Sequence, residues 1–169
     1  LLSLDGGDSQ STDASYSALM TAGVHTLTFR ANDGKGTSYA AYVVTLTVTP
    51  VQIEGVYQLA TKEDLFWFRD TVNGGQYALN AAMTEDIDLA DTGDWVRIAI
   101  NSNNYSSRAY SGTFDGQNHT IKNLNLKNTS SSGKYLALFE RVLENGKICN
   151  LKLENVQIAG NQYVAAFVA

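Results

Sequence analysis

Carboxylates are the first candidates for chemistry in this chain, because four aspartates lie close together near its middle. These candidate metal ligands are Asp86, Asp88, Asp91 and Asp94. Oxygen-rich clusters of this kind bind calcium, and a pair of carboxylates can hydrolyse a glycosidic bond. Their spacing matches no EF-hand loop, however, and alternation with Ile87 and Leu89 turns Asp86 and Asp88 outward from a strand. We therefore predict a solvated acidic face, and expect neither a bound metal nor a cofactor.

Other catalytic patterns are missing from the sequence. The two histidines, His25 and His119, fall in different predicted domains, and no H-E-x-x-H motif of a zinc peptidase occurs. A G-x-S-x-G nucleophile elbow and a phosphate-binding glycine loop are also lacking. Cys149 is the single cysteine, so no intrachain disulfide can form. The sequence thus predicts no catalytic residue, and we expect that this chain is not an enzyme.

Aromatic side chains offer a second kind of site, because sugar rings stack on them. We expect Trp67 to lie on a helix and Trp95 to lie in the core. Tyr105 and Tyr110 belong to an Asn- and Ser-rich loop over residues 101–111, and they are the candidate ligand-binding residues. Their ordinary interpretation is exposed loop tyrosine, which is common in proteins.

Composition limits the classes of protein and partner. A chain of 169 residues with 44% hydrophobic and 17% charged residues can form one large or two small domains. Its net charge of −5 comes without a basic block, which argues against nucleic acid as a partner. No apolar run approaches the ~20 residues of a membrane helix. Because the chain opens on Leu1 and lacks signal-peptide features, we expect an interior segment of a longer protein.

The pattern of the first 50 residues predicts β-structure. Residues 24–30 and 39–48 alternate and are rich in β-branched and aromatic types, and 32–36 contain the Asn, Asp and Gly of a hairpin turn. Pro50 closes the segment. Residues 1–50 resemble the last strands of an immunoglobulin-like module. Such sandwiches need ~100 residues, so the resemblance implies a partial or small one.

A single helix is predicted next, from Lys62 to about Asn73. Thr61 and Asp64 have the spacing of a capping box, and Gly74 lies where a C-cap glycine belongs. One face of this helix carries Leu65, Phe68 and Val72. Beyond it we predict only short β runs, at 78–83, 87–89, 95–100 and 112–114, followed by two repeats.

The repeats are two similar stretches offset by 27 residues. They are Ile121-Lys122-Asn123-Leu124-Asn125-Leu126-Lys127-Asn128 and Ile148-Cys149-Asn150-Leu151-Lys152-Leu153-Glu154-Asn155. A further echo, Tyr135-Leu136-Ala137-Leu138-Phe139 and Tyr163-Val164-Ala165-Ala166-Phe167, is offset by 28. A constant period predicts stacked structural units. The predicted structural core is Leu124 over Leu151 and Leu126 over Leu153, with Asn123 over Asn150 and Asn128 over Asn155 as amide ladders or solvated turn residues.

The region 51–169 resembles the N-terminal part of the GLUG-repeat β-helices of bacterial surface proteins. The motifs are Glu63-Asp64-Leu65, Val72-Asn73-Gly74-Gly75, Thr84-Glu85-Asp86-Ile87-Asp88-Leu89, Trp95-Val96-Arg97-Ile98 and Tyr110-Ser111-Gly112-Thr113-Phe114-Asp115-Gly116-Gln117-Asn118-His119-Thr120-Ile121-Lys122-Asn123-Leu124. This resemblance implies a mainly β fold, a right-handed parallel β-helix with an N-terminal capping helix. Ala137-Leu138-Phe139-Glu140 replaces the family's Gly-Leu-Phe-Gly, so we expect ordinary strand or close-packing positions there, without the role of the family's glycines.

These features predict a non-catalytic structural or adhesive segment of a large secreted or cell-surface bacterial protein. The alternative is an accessory, glycan-binding region of an extracellular glycan-active enzyme or metallopeptidase. Host or extracellular glycans or proteins are the expected partners. Because residues 163–169 carry no polar cap, we also expect self-association through this C-terminal coil.

Overall fold

The computed structural model describes residues 2–4, 21–29, 42–100, 108–130 and 133–169. The chain divides into two compact units, Leu1–Thr49 and Pro50–Ala169. In the first unit, β1 (Leu2–Leu4), β2 (Gly23–Phe29) and β3 (Tyr42–Val48) form an antiparallel sheet in that order. Pairing runs from Gly23 opposite Val48 to Phe29 opposite Tyr42, which confirms the predicted antiparallel arrangement of the second and third strands. The predicted turn at 32–36 lies outside the described residues.

The described part of the second unit contains one helix, α1 (Lys62–Asn73), whose bounds agree with the prediction. The Asp64 amide donates to Thr61 Oγ1 at 3.1 Å, and the Thr61 amide donates to Asp64 Oδ2 at 2.9 Å. These two bonds make the expected capping box, because each residue satisfies an amide that the helix leaves free.

Gly74 is the C-cap residue, as predicted, and the positive φ that ends the helix falls on the next residue, Gly75. Gly74 keeps a right-handed conformation with φ of −73°, whereas Gly75 has φ of +114°. The Gln76 amide then bonds to the Thr71 carbonyl at 3.2 Å, and the Gly75 amide to the Val72 carbonyl at 3.0 Å. This is a Schellman ending, in which the residue after the cap needs positive φ, so the required glycine is Gly75.

The described residues of this unit also form twelve short strands. They are β4 (Gln52–Ile53), β5 (Val56–Leu59), β6 (Asn80–Met83), β7 (Ile87–Asp88), β8 (Thr113–Asp115), β9 (Thr120–Lys122), β10 (Asn125–Asn128), β11 (Lys134–Leu136), β12 (Lys147–Cys149), β13 (Lys152–Glu154), β14 (Gln157–Gly160) and β15 (Gln162–Val164). The chain is therefore mainly β, as predicted.

The strands pair across long distances in sequence. The sheets have the orders β12-β8-β6-β5-β4, β13-β9-β7, β10-β14 and β11-β15. Only β4 and β5 pair antiparallel here, and the other described pairs of this unit are parallel. The chain runs through β8, β9, β10 and β11 in turn, and then lays β12 to β15 beside them in the same order.

The predicted β run at 95–100 is wrong. Within it only Ile98 forms a bridge, to Phe139, and no strand is present. Ala99 has φ of +59°, a left-handed conformation that interrupts an extended strand.

Four aromatic rings form the centre of the core. Phe68 of α1 lies 5.9 Å from Tyr110 and 5.4 Å from Phe114, measured between ring centroids. Phe139 lies 5.1 Å from Tyr110 and 5.5 Å from Phe114, and all four rings are fully buried. The apolar face of α1 thus covers residues that the sheets bring together from distant parts of the chain.

The predicted core leucines differ in their burial. Leu124 is fully buried and Leu126 is 6% exposed. Leu151 and Leu153 are half-buried, and they pack against the core cluster.

The predicted 27-residue register of these leucines is wrong. Leu126 pairs with Ile158 and Ile121 pairs with Leu153, so paired residues are 32 apart (158 − 126 and 153 − 121). The 28-residue echo, in contrast, is confirmed as a register, because Leu136 pairs with Val164.

The reason is that the repeated motif marks a corner between strands. Asn123 joins β9 to β10, Asn150 joins β12 to β13, and Asn155 joins β13 to β14. All three have left-handed φ, of 59°, 51° and 51°. Asn tolerates this conformation better than most residues, so the same short sequence recurs wherever the chain turns. The 27-residue similarity therefore matched the corner after β9 with the corner after β12. These strands are not partners, because β12 pairs with β8.

Truncation of Leu126 to alanine should lower the free energy of unfolding by ~2–5 kcal/mol, because the buried side chain would leave a cavity. Chemical denaturation measures this change. Leu143→Ala is the control, since Leu143 is 38% exposed, and we expect a change within about 0.5 kcal/mol. A loss of under half a kcal/mol for Leu126→Ala would contradict its assignment to the core.

Candidate functional site

Asp86 is bound by residues of the neighbouring strand β9 and by His119, the residue before that strand. Its Oδ1 accepts the Thr120 amide at 2.9 Å and faces His119 Nδ1 at 3.5 Å, while its Oδ2 lies 3.1 Å from Lys122 Nζ. The Thr120 hydrogen bond, followed by that of Lys122, lowers the pKa of Asp86. Asp86 in turn raises the pKa of Lys122. The carboxylate therefore links two strands that lie far apart in sequence.

Asp88 begins a polar ladder that crosses three strands. Asn123 Nδ2 donates to Asp88 Oδ1 at 2.6 Å, and the Ala90 amide donates to the same oxygen at 2.8 Å. These bonds lower the pKa of Asp88, with Asn123 as the larger cause. Asn123 Oδ1 then accepts a hydrogen bond from Asn155 Nδ2. We call Asp88, Asn123 and Asn155 the polar ladder.

A shorter pair of the same kind joins β8 to the corner after β12. Asn150 Nδ2 and the Gln117 amide each donate to Asp115 Oδ1 at 2.9 Å. The Gln117 amide is the larger cause of the lowered pKa of Asp115. The predicted stacking of Asn123 over Asn150 and of Asn128 over Asn155 is therefore wrong, because Asn150 and Asn155 bind other partners.

The remaining aspartates of the cluster do not converge with these. Asp94 Oδ1 accepts Asn125 Nδ2 at 2.9 Å, and Asp91 occupies a turn with φ of +60°. Among the described residues, no group of three or more His, Cys, Asp or Glu side chains is arranged to hold a metal ion. The structure gives Asp86, Asp88 and Asp94 separate partners instead of a common site.

Protonation of these carboxylates should destabilise the fold. The folded-state pKa values of Asp86, Asp88 and Asp115 are lowered. Their stabilising contribution is therefore present above the ordinary aspartate pKa of about 3.9, and it is lost as the pH falls through the lower folded-state values.

Asp88→Asn should consequently reduce the loss of stability on acidification while leaving the ladder intact, because an amide oxygen can still accept from Asn123. Urea denaturation at a series of pH values measures how steeply the free energy of unfolding changes with pH, which is the slope compared here. Asn155→Ala is the control, since it removes a ladder bond without removing a titrating group and should lower stability without changing the slope. An unchanged slope in Asp88→Asn would contradict the contribution of Asp88.

The sequence-based prediction for Tyr110 is wrong. Its side chain is fully buried, and its hydroxyl donates to the Leu79 carbonyl at 2.8 Å. Burial raises the pKa of this hydroxyl above its usual value. Tyr110, Gly112 and Phe114 alternate and are all buried, and this alternation is the signal that assigns Tyr110 to the core. Tyr105 lies outside the described residues.

Sequence reasoning missed a cleft of about 420 Å³ beside the C-terminal end of α1. It lies between the β4–β5 hairpin and the segment that joins α1 to β6. Its polar and aromatic lining consists of Gln52, Tyr57, Gln76, Tyr77 and Asn80. We call it the tyrosine–amide cleft. The residues come from two segments that do not share a motif, so only their packing reveals the site.

Comparison with known proteins shows a distant similarity to a long protein. The chain is 28% identical over 102 residues to Halomucin of Haloquadratum walsbyi, and the match covers 57% of this chain and 1% of that protein. No protein-family profile matches the chain. No solved structure matches it either.

Helices that could cross a membrane are not found in the described part of the chain, where no helix is both long and apolar enough.

Proposed function

We propose that residues 51–169 form a right-handed parallel β-helix with α1 at its N-terminal end, and that the chain is a non-catalytic structural or adhesive segment of a large extracellular or cell-surface protein. One observation carries the proposal. The chain passes through β8 to β11 and then through β12 to β15, and each later strand pairs in parallel with its earlier counterpart. Repeated parallel pairing in constant order is how a coil stacks on its neighbour.

Columns of similar residues support the same architecture. Ile87, Ile121 and Leu153 pair in succession across β7, β9 and β13. The rings of Tyr135 and Tyr163 stack with centroids 4.7 Å apart and planes at 4°. A separation close to the spacing of adjacent strands is what a stack of coils requires.

A structural role is favoured because the aspartate carboxylates form hydrogen bonds between neighbouring strands. Asp86, Asp88 and Asp115 each accept hydrogen bonds from residues of a neighbouring strand or corner. The GLUG resemblance supports location on a bacterial surface. Similarity to a segment that makes up 1% of Halomucin is compatible with a module of a very long protein.

Proteolytic shaving of intact cells that make the whole protein tests location. We expect peptides of this chain to be released before lysis, with a cytoplasmic protein retained as the control. Release only after lysis would contradict a surface location. In parallel, the purified chain should hydrolyse none of a panel of glycans and peptides, and turnover abolished by Asp86→Asn would contradict the non-catalytic role.

The accessory-region alternative shares this prediction of no turnover. It would be favoured if glycan-active or metallopeptidase domains accompany this chain in the whole protein.

Exposed apolar side chains on and after β15 lead to a prediction about association. Tyr163 is 61% exposed, Val164 43%, Phe167 39% and Val168 39%. In the described part of the chain, β14 and β15 each pair with one strand. Strand edges with unpaired backbone groups recruit further strands. We therefore expect the purified chain to associate with a second copy through this surface.

Light scattering at increasing concentration measures that association. Tyr163→Lys should weaken it by introducing charge repulsion at the contact. Val51→Lys is the matched control, because Val51 is 68% exposed and lies on the other end of the second unit in sequence. A strictly monomeric chain at all concentrations would contradict the prediction.

A further inference from the structure

We infer that the tyrosine–amide cleft binds a neutral saccharide. This inference goes beyond the proposed structural role, and it does not depend on the stacking of coils. The cleft is an open concavity of about 420 Å³ formed by residues of the second unit alone. That volume lies within the ordinary range of small-ligand sites.

The absence of charged side chains from the lining of the cleft indicates the class of ligand. The cleft is lined by Gln, Asn, Tyr, Gly, Ala and Leu, and none of its lining residues is charged. This is notable in a chain of which 17% is charged. Burial of a phosphate or a carboxylate without a countercharge is costly, so the cleft favours an uncharged partner.

The hydrogen-bonding groups of the cleft indicate what kind of uncharged ligand it would bind. The side-chain amides of Gln52 and Gln76 form no hydrogen bond with another described residue. Asn80 Oδ1 accepts the Thr113 amide at 2.8 Å, which orients Asn80 and leaves its Nδ2 to donate. A carboxamide both donates and accepts, as does a sugar hydroxyl. Three such groups around one concavity therefore suit a polyhydroxyl ligand.

Two tyrosines supply the apolar surface that a sugar ring needs. Tyr57 packs on Trp67 with ring centroids 4.7 Å apart and planes at 50°, so its ring is held before any ligand arrives. Tyr77 is half-buried and packs against the core. Aromatic rings that are held in place bind the apolar face of a sugar at little cost in conformational entropy.

The backbone keeps the cleft open. Gly55 and Gly75 line it with φ of +82° and +114°, and a Cβ built on either would meet no atom within 4 Å. Glycine is required there by the positive φ of the hairpin and of the helix ending, and it leaves space where a side chain would stand.

Another cleft, of about 380 Å³, lies beside the polar ladder but is less suitable. Its Asn123 is bound by Asp88 and Asn155, and none of its lining residues is aromatic. The tyrosine–amide cleft is therefore the better site.

Titration of the whole chain with neutral oligosaccharides tests the inference. The probes are oligomers of glucose, mannose, galactose and N-acetylglucosamine, with uronic acid oligomers as the charged comparison. Calorimetry measures the affinity, and tryptophan fluorescence reports the environment of Trp67 behind Tyr57. We expect saturable binding of at least one neutral oligomer, and no binding of the charged oligomers.

Substitutions then locate the site. Gln76→Ala and the double variant Gln52→Ala with Tyr77→Phe should each raise the Kd by about tenfold, because each removes hydrogen bonds to the ligand. Gln52 and Gln76 are exposed, so their loss should leave the fold intact.

Two controls separate this cleft from other surfaces. Gln162→Ala removes an exposed glutamine of β15 and should leave the Kd unchanged. Tyr105→Ala tests the loop tyrosine suggested by the sequence, and it should also have no effect. The inference is wrong if no neutral oligomer binds saturably, or if Gln162→Ala or Tyr105→Ala weakens binding as much as Gln76→Ala does.

Discussion

Truncation of Phe139 to alanine is expected to lower the free energy of unfolding of the second unit by about 3–5 kcal/mol. Its ring is fully buried and contacts Tyr110 and Phe114, with centroids 5.1 and 5.5 Å away. Its backbone also bridges Ile98 on one side and Val168 on the other. Loss of the ring would therefore leave a cavity between α1 and the stacked strands, where the surroundings can relax little.

Denaturant unfolding followed by tryptophan fluorescence is the appropriate measurement, because Trp67 and Trp95 both lie in the second unit. Phe167→Ala is the matched control. Phe167 is 39% exposed, so the same truncation should cost markedly less than it does at Phe139. Equal losses for the two variants would show that Phe139 does not occupy the centre of the core.

A large effect is also expected from Arg97→Ala, which should lower the free energy of unfolding by about 3–5 kcal/mol. Arg97 Nε lies 3.0 Å from Glu140 Oε2, and the side chains are 21% and 7% exposed. The arginine also donates from a terminal nitrogen to the Lys134 carbonyl at 3.1 Å. Its removal takes away one partner of the buried Glu140 carboxylate, and the loss of a partner from a buried charge is strongly destabilising.

Glu140→Gln should cost less than Arg97→Ala, because the remaining arginine is closer to the surface and can reach water. Lys122→Ala is the control for an exposed pair. It removes one partner of Asp86, where the side chains are 37% and 46% exposed, and the expected loss is small because solvent screens the pair. Denaturant unfolding compares the three variants. If Arg97→Ala costs no more than Lys122→Ala, the burial of the Arg97–Glu140 pair does not contribute to stability.

Glu140 belongs to residues 137–140, where the sequence differs from the GLUG pattern and close packing was expected. Ala137 is fully buried and Glu140 is 6% exposed, which agrees with the expectation of close-packed positions. A glutamate at a buried position requires a partner, and Arg97 provides it from a segment distant in sequence.

Local sequence determined the features that depend on neighbouring residues. The capping box of α1 needs only Thr61 and Asp64, which are three residues apart, and the helix lies where that spacing predicts. The antiparallel pairing of β2 and β3 likewise follows from two alternating segments with a turn between them. The 28-residue register of Leu136 and Val164 was also readable, because the two stretches around it are similar.

Tertiary structure alone decided which strands lie beside one another. The 27-residue similarity arose from corners, where Asn123 and Asn150 adopt the same left-handed conformation, and a corner motif carries no information about its partner strand. The register is set by the lengths of the connections, which differ between successive passes of the chain. β10 and β11 are separated by residues 129–133, whereas one residue, Asn161, separates β14 from β15.

The candidate site depended on tertiary structure even more. Tyr110 lies at the end of a polar loop segment, yet it is buried because Phe68 and Phe139 close around it. Asp86 and Asp88 face outward as predicted, but their partners come from the neighbouring strand β9 and the corner after it. The tyrosine–amide cleft joins a hairpin to the end of a helix. Sequence specifies a side chain's chemistry and its local conformation, whereas contacts between distant segments follow only from how those segments pack.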